Sequence, residues 1–83
     1  MSILKWTDLA LQQFAAIFAA ATPEKRLLLV PVITQLEQDL IADPLSVGES
    51  RSGSIRVFIQ KPLVIWFTVE EDYVRIIRVK RSK

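Results

Sequence analysis

The sequence predicts an α+β fold in which an N-terminal strand is followed by a two-helix hairpin packed on one face of an antiparallel β-sheet. Three observations lead there. Apolar residues between Asp8 and Ala21 recur at three- and four-residue spacing, the period of a helix with one buried face. A second stretch with helical spacing runs from Pro23 to Leu40. The stretch from Ser54 to Arg81, SIRVFIQKPLVIWFTVEEDYVRIIRVKR, is dense in β-branched and aromatic residues and is broken twice by turn signals, so it reads as three consecutive strands. With 83 residues the chain has room for one core, and 1–83 reads as a single domain.

Taken in order, Ser2 to Trp6 favours a short edge strand and ends at Thr7-Asp8, a pair suited to capping a helix. In the first helix Leu11, Phe14, Ile17, Phe18 and Ala21 form the apolar stripe, and Gln12 and Gln13 fall on the polar side. Thr22-Pro23-Glu24 then supplies an N-cap, a proline at the first helical position and a carboxylate at the positive end of the helix dipole. The segment 27–33, LLLVPVI, is apolar on every side and reads as either a kinked helix or a buried strand. Leu29, Ile33, Leu36 and Leu40 carry helical spacing through the polar TQLEQD segment, which favours the helix. Asp43-Pro44 ends it, and residues 45–53, with both glycines, read as a flexible connection.

In the sheet stretch, strict alternation puts Ile55, Val57 and Ile59 on one face and Arg56, Phe58 and Gln60 on the other. LVIWFTV is apolar almost throughout, as a strand covered on both faces reads. In the last strand the same alternation groups Tyr73, Arg75, Ile77 and Val79 against Val74, Ile76, Arg78 and Lys80. If the helices cover Ile55, Val57, Ile59, Ile77 and Val79, the open face carries Arg56, Phe58, Gln60, Arg78 and Lys80. Cations beside aromatics suit RNA or another polyanion, because cations neutralise phosphates and rings stack on bases. A core with a rim of solvated arginines would give the same pattern.

Composition narrows the chemistry. The chain has neither histidine nor cysteine, which removes disulfides, thiolate nucleophiles, Cys/His zinc sites and imidazole bases. No cofactor or metal is expected. The net charge is only +2, but residues 1–49 hold three basic and six acidic groups while 50–83 hold eight basic and three acidic. The positive charge therefore sits on the sheet end, as an acidic partner or nucleic acid requires, although solvated strand edges use Lys and Arg as well. The apolar fraction of 51% lies just above the roughly 45–50% of ordinary globular chains, leaving apolar surface for a partner, a second copy of the chain included. Asp8, Gln12 and Gln13 interrupt the apolar run after Lys5, so it reads as an amphipathic helix rather than a signal peptide. With no membrane-spanning run either, a cytoplasmic protein is expected.

The order strand, helical hairpin, Asp43-Pro44, glycine-containing loop, GSIR and three strands ending in VRIIRVKR resembles the RelE/ParE toxin superfamily of bacterial toxin-antitoxin systems. The resemblance spans essentially the whole chain and rests on Trp6, Asp43-Pro44, Gly53 to Val57, Val64 to Val69 and Ile76 to Arg81. It implies a toxin neutralised by a cognate antitoxin. RelE-like members cut mRNA on the ribosome without a metal, ParE-like members act on DNA gyrase, and a non-toxic binding or oligomerising relative would keep the same fold. By position, Arg56, Arg78, Lys80 and Arg81 would surround a scissile phosphate, with Arg51 and Lys61 as nearby RNA contacts. The family's nucleases commonly carry a histidine or arginine and then a tyrosine beyond the last strand, where this chain reads Arg81-Ser82-Lys83. Glu49 is a further candidate base, and Lys80 a candidate proton carrier.

Overall fold

The computed structural model describes residues 3–82, the side chains of Arg51 and Ser52 excepted. The elements are β1 (Ile3–Trp6), α1 (Asp8–Ala20), α2 (Pro23–Ala42), a 3-10 turn (Pro44–Ser46), β2 (Glu49–Ser52), β3 (Ile55–Gln60), β4 (Leu63–Val69) and β5 (Tyr73–Arg81). The strands form one sheet in the order β1-β5-β4-β3-β2. β1 runs parallel to β5 and every other neighbour is antiparallel, so the sheet is mixed. The segment 27–33 is helical, and Pro31 lies inside α2. Residues 49–52, expected as loop, instead form β2, the outer strand of the sheet, paired with β3. No helix among the described residues is long and apolar enough to cross a membrane.

Both helices start where their caps dictate. The Thr7 hydroxyl accepts from the Ala10 amide at 3.1 Å and the Thr22 hydroxyl from the Lys25 amide at 3.3 Å, each satisfying one of the amides that a helix start leaves unpaired. The last turn of α1 has no basic residue of its own. Arg26 of α2 supplies one, donating to the Phe18 and Ala19 carbonyls at 2.9 and 2.8 Å, and so fixes the hairpin angle while capping the negative helix end. Trp6 ties β1 to α2 by donating from its indole Nε1 to Glu37 at 3.0 Å.

The core lies between the hairpin and one face of the sheet. Leu36 and Leu40 from α2 and Ala10 from α1 meet Leu63, Ile65 and Phe67 of β4 and Val74 and Ile76 of β5, all fully buried. Directly opposed residues share a face, and here the structure reverses the expected assignment. Arg56 is opposite Phe67, Phe58 opposite Ile65 and Gln60 opposite Leu63, so these three lie on the helix-covered face. Ile55, Val57 and Ile59 pair with Thr68, Trp66 and Val64 on the open face. In β5 the alternation itself breaks. Phe67 pairs with Ile76 and Trp66 with Arg78, leaving Ile77 without a partner on β4, as in a β-bulge. Beyond that extra residue, Val79 is on the covered face while Arg78 and Lys80 are on the open one.

Arg56 therefore stands on the face opposite Arg78 and Lys80. Its guanidinium donates to the carbonyls of Leu45, Val47 and Gly48 at 3.2–3.4 Å, holding the segment that leads into β2. Gly48, in the same segment, has φ +73°, and a Cβ there would lie 2.4 Å from the Val57 carbonyl oxygen. Gly53 has φ +56° with open space around it.

Two outcomes follow for stability, read by chemical denaturation. Gly48→Ala loses about 2–4 kcal/mol, because left-handed strain and overlap with backbone act together, whereas Gly53→Ala carries the strain alone and loses about 1 kcal/mol. Arg56→Met, which keeps the stem and removes the donors, loses about 2 kcal/mol and speeds amide exchange in β2.

Candidate nucleic-acid interface

The face of the sheet away from the helices is built from three rows running across the strands. Lys5, Arg75, Thr68 and Ile55 form one, from β1 through β5 and β4 to β3. Arg78, Trp66, Val57 and Glu49 form the next, and Lys80, Val64 and Ile59 the third. Tyr73, opposite Ile3, begins the face at the start of β5. Lys5, Arg75, Arg78 and Lys80 thus lie along neighbouring strands, interleaved with the rings of Tyr73 and Trp66.

The rings and cations are in contact. The Arg78 guanidinium lies 4.8 Å above the Trp66 ring centre. Lys5 Nζ and the Arg75 guanidinium lie 4.4 and 5.3 Å from the Tyr73 ring, and Arg75 also donates to the Tyr73 hydroxyl. Each stacked pair contributes on the order of 0.5–1 kcal/mol where solvent is near. Their larger effect is orientation, since a guanidinium resting on a ring keeps its edge donors free for a phosphate. Arg78 and Lys80 are exposed, so their charge is available at the surface.

A second feature adjoins this face at the C-terminal end of β5. A groove of about 820 Å³ lies between the helical hairpin and the β3–β4 turn, lined by the apolar Ile17, Leu28 and Pro62 and by the cations Lys25, Lys61, Lys80 and Arg81. Leu28 and its neighbour Leu27 are 64% and 75% exposed, because α2 is apolar on more sides than the sheet can cover.

The residues singled out from the sequence separate accordingly. Arg78 and Lys80 share the open face; Lys61 and Arg81 belong to the groove, which Lys80 also borders. Arg56 is on the other face of the sheet, engaged with the carbonyls of Leu45, Val47 and Gly48. The side chain of Arg51 lies outside the described residues. Glu49 is brought to the open face by its pairing with Val57. Lys5, Arg75 and Tyr73 were not among the expected site residues. The parallel pairing of β1 with β5 brings Lys5 opposite Arg75, a juxtaposition that no local pattern signals. Among the described residues no cluster of acidic side chains could hold a metal ion.

No family model and no curated protein match the chain. Among solved structures it is similar to a chain of the chromosomal ParDE TA system from P. aeruginosa, with 26% identity and a TM-score of 0.80, covering 100% of this chain and 98% of that one. It is also similar to a conserved hypothetical protein from Helicobacter pylori, with 18% identity, a TM-score of 0.68 and coverage of 98% and 94%, a likeness of fold alone. An N-terminal strand, a capped helical hairpin and a sheet in this order, matched from end to end by a ParDE system chain, agree with the residues quoted above and support the resemblance to the RelE/ParE toxin superfamily.

Proposed function

We propose that this chain is the toxin component of a type II toxin-antitoxin module, and that it holds a single-stranded nucleic acid, mRNA on the ribosome, against the open face of its sheet. One observation carries the reading: four cations and two rings alternate on a sheet face that the helices leave uncovered. Cations supply the phosphate attraction and rings supply sequence-tolerant stacking, worth roughly 1–3 kcal/mol per base. Within this reading Arg78, Lys80 and Arg81 are the groups nearest a bound phosphate, and Lys61 is a flanking contact. Arg56 acts on the fold. The cognate antitoxin occupies the apolar groove, where the lining cations favour an acidic segment, and by covering Lys80 it blocks the face. A second reading, a ParE-like toxin that binds DNA gyrase without cutting anything, is supported by the likeness to the ParDE chain.

Expression in a bacterium lacking the antitoxin stops growth, and Arg78→Ala with Lys80→Ala restores it while circular dichroism shows the variant folded. Transcript analysis separates the readings. Shortened ribosome-bound mRNA supports the first, and intact mRNA with inhibited supercoiling supports the second. Normal growth on strong expression of folded wild-type protein contradicts both.

Salt dependence gives an independent check. Four phosphate contacts to a single strand predict a slope of log K against log salt of about −3, and the double variant makes it shallower by about 1.4. An unchanged slope places the contacts elsewhere.

A further inference from the structure

We propose that Gln13 is the positioning residue of the open face: its side-chain carbonyl holds the bulged register of β5, with Val79 opposite Ile65, and thereby keeps Arg78 beside Trp66 on that face. The inference rests on the reading of that face as the binding surface.

β5 is flanked on one side by β4 and on the other by β1, but β1 is short. Its pairing ends at Trp6 opposite Ile76, and the Thr7 amide makes the last contact of that side by donating to the Ile76 carbonyl at 3.0 Å. There the chain turns into α1. The remaining residues of β5 have no strand beside them at that edge, although Val79 is 3% exposed. A buried amide without an acceptor is strongly disfavoured. The Val79 amide donates instead to Gln13 Oε1 at 2.8 Å, across 66 residues of sequence. A side chain from the second turn of α1 thus stands in for the strand that β1 does not provide.

The position of this contact gives it a role in addressing the cations. Between Ile76 and Arg78 the ladder with β4 is interrupted by the one unpaired residue, Ile77. A bulge placed beyond Val79 would leave the core residues Val74 and Ile76 where they are, yet would put Ile77 opposite Trp66, Arg78 opposite Ile65 and Val79 opposite Val64, with the Val79 amide turned from Gln13 toward β4. Only a bulge ahead of Val79 presents that amide to Gln13. Burial of Val79 favours the bulged register, and the Gln13 carbonyl adds the one directional bond that holds Val79 opposite Ile65 in it. Gln13 is held by α1, whose start is fixed by the Thr7 cap and the Ala10 contact with the core, so the acceptor does not move with β5.

The test compares Gln13→Leu, which fills similar space without an acceptor, with Gln13→Glu, which keeps an oxygen at the same reach. Gln13→Asn, one methylene shorter, serves as the second loss variant if the leucine variant does not fold. Three quantities are read on the full chain: amide exchange at Val79, nuclear Overhauser contacts between the Arg78 side chain and the Trp66 ring, and affinity for oligouridylate. In the loss variant Val79 exchange rises by about tenfold relative to Val74, the Arg78–Trp66 contacts weaken, and affinity falls several-fold. The glutamate variant restores the first two. A folded loss variant with unchanged Val79 protection and unchanged Arg78–Trp66 contacts overturns the proposal. If the register readouts change while oligouridylate affinity does not, Gln13 positions Arg78 as proposed, and the reading of the open face as the nucleic-acid surface fails instead.

Discussion

Between Ile76, opposite Phe67, and Arg78, opposite Trp66, β5 contains one residue that pairs with nothing on β4. The two faces of the sheet depend on it. Without the extra residue, strict alternation from Tyr73 would carry Val79 to solvent and Arg78 and Lys80 beneath the helices. Exposing Val79 would forfeit roughly 1.5–3 kcal/mol, and burying an unpaired guanidinium would cost several more. Bulging one residue loses far less. The bulge lets a single strand contribute Val74, Ile76 and Val79 to the core and Arg75, Arg78 and Lys80 to the opposite surface.

The same constraint explains which parts of the fold could be read in advance. The helices were legible because caps and period agree: Thr7 and Thr22-Pro23 mark the starts, and Leu29, Leu36 and Leu40 repeat at a spacing that packing then rewards. Pro31 left α2 open to a strand reading that the buried leucines on either side of it decide. β2 was not legible, because Glu49–Ser52 is polar throughout and lies between glycines; it is a strand through its pairing with β3 and the carbonyl clamp of Arg56. The site was half legible. Arg78 and Lys80 are exposed on one face, but counting by twos through Ile77 joins them to Arg56, which lies on the other. Gln13 was assigned to solvent because helical spacing shows polarity and not the need of a distant amide.

Charge and apolar surface are arranged as a continuous path. The open face leads through Lys80 to the groove beside the hairpin, where apolar side chains left uncovered by the sheet meet cations. A partner that buries this apolar surface gains from desolvation and from pairing these charges, and it does so where it obstructs the face. On the proposed reading, activity and neutralisation meet at Lys61, Lys80 and Arg81, which line the groove and stand nearest the bound nucleic acid. The hairpin that forms one wall of the groove is itself braced by Arg26 on the end of α1 and by Trp6 on Glu37, contacts that lie outside the groove lining.

The central claim is that the working surface is the open sheet face and that Arg56 lies outside it. The most direct test is a nuclear magnetic resonance titration with single-stranded RNA, following backbone amides and the Trp, Lys and Arg side chains. The account predicts shift changes concentrated at Lys5, Trp66, Tyr73, Arg75, Arg78 and Lys80, with the Arg56 guanidinium and the covered face unmoved. Changes centred on Arg56 and the β2 segment, or spread over the helical hairpin with the open face silent, would contradict it.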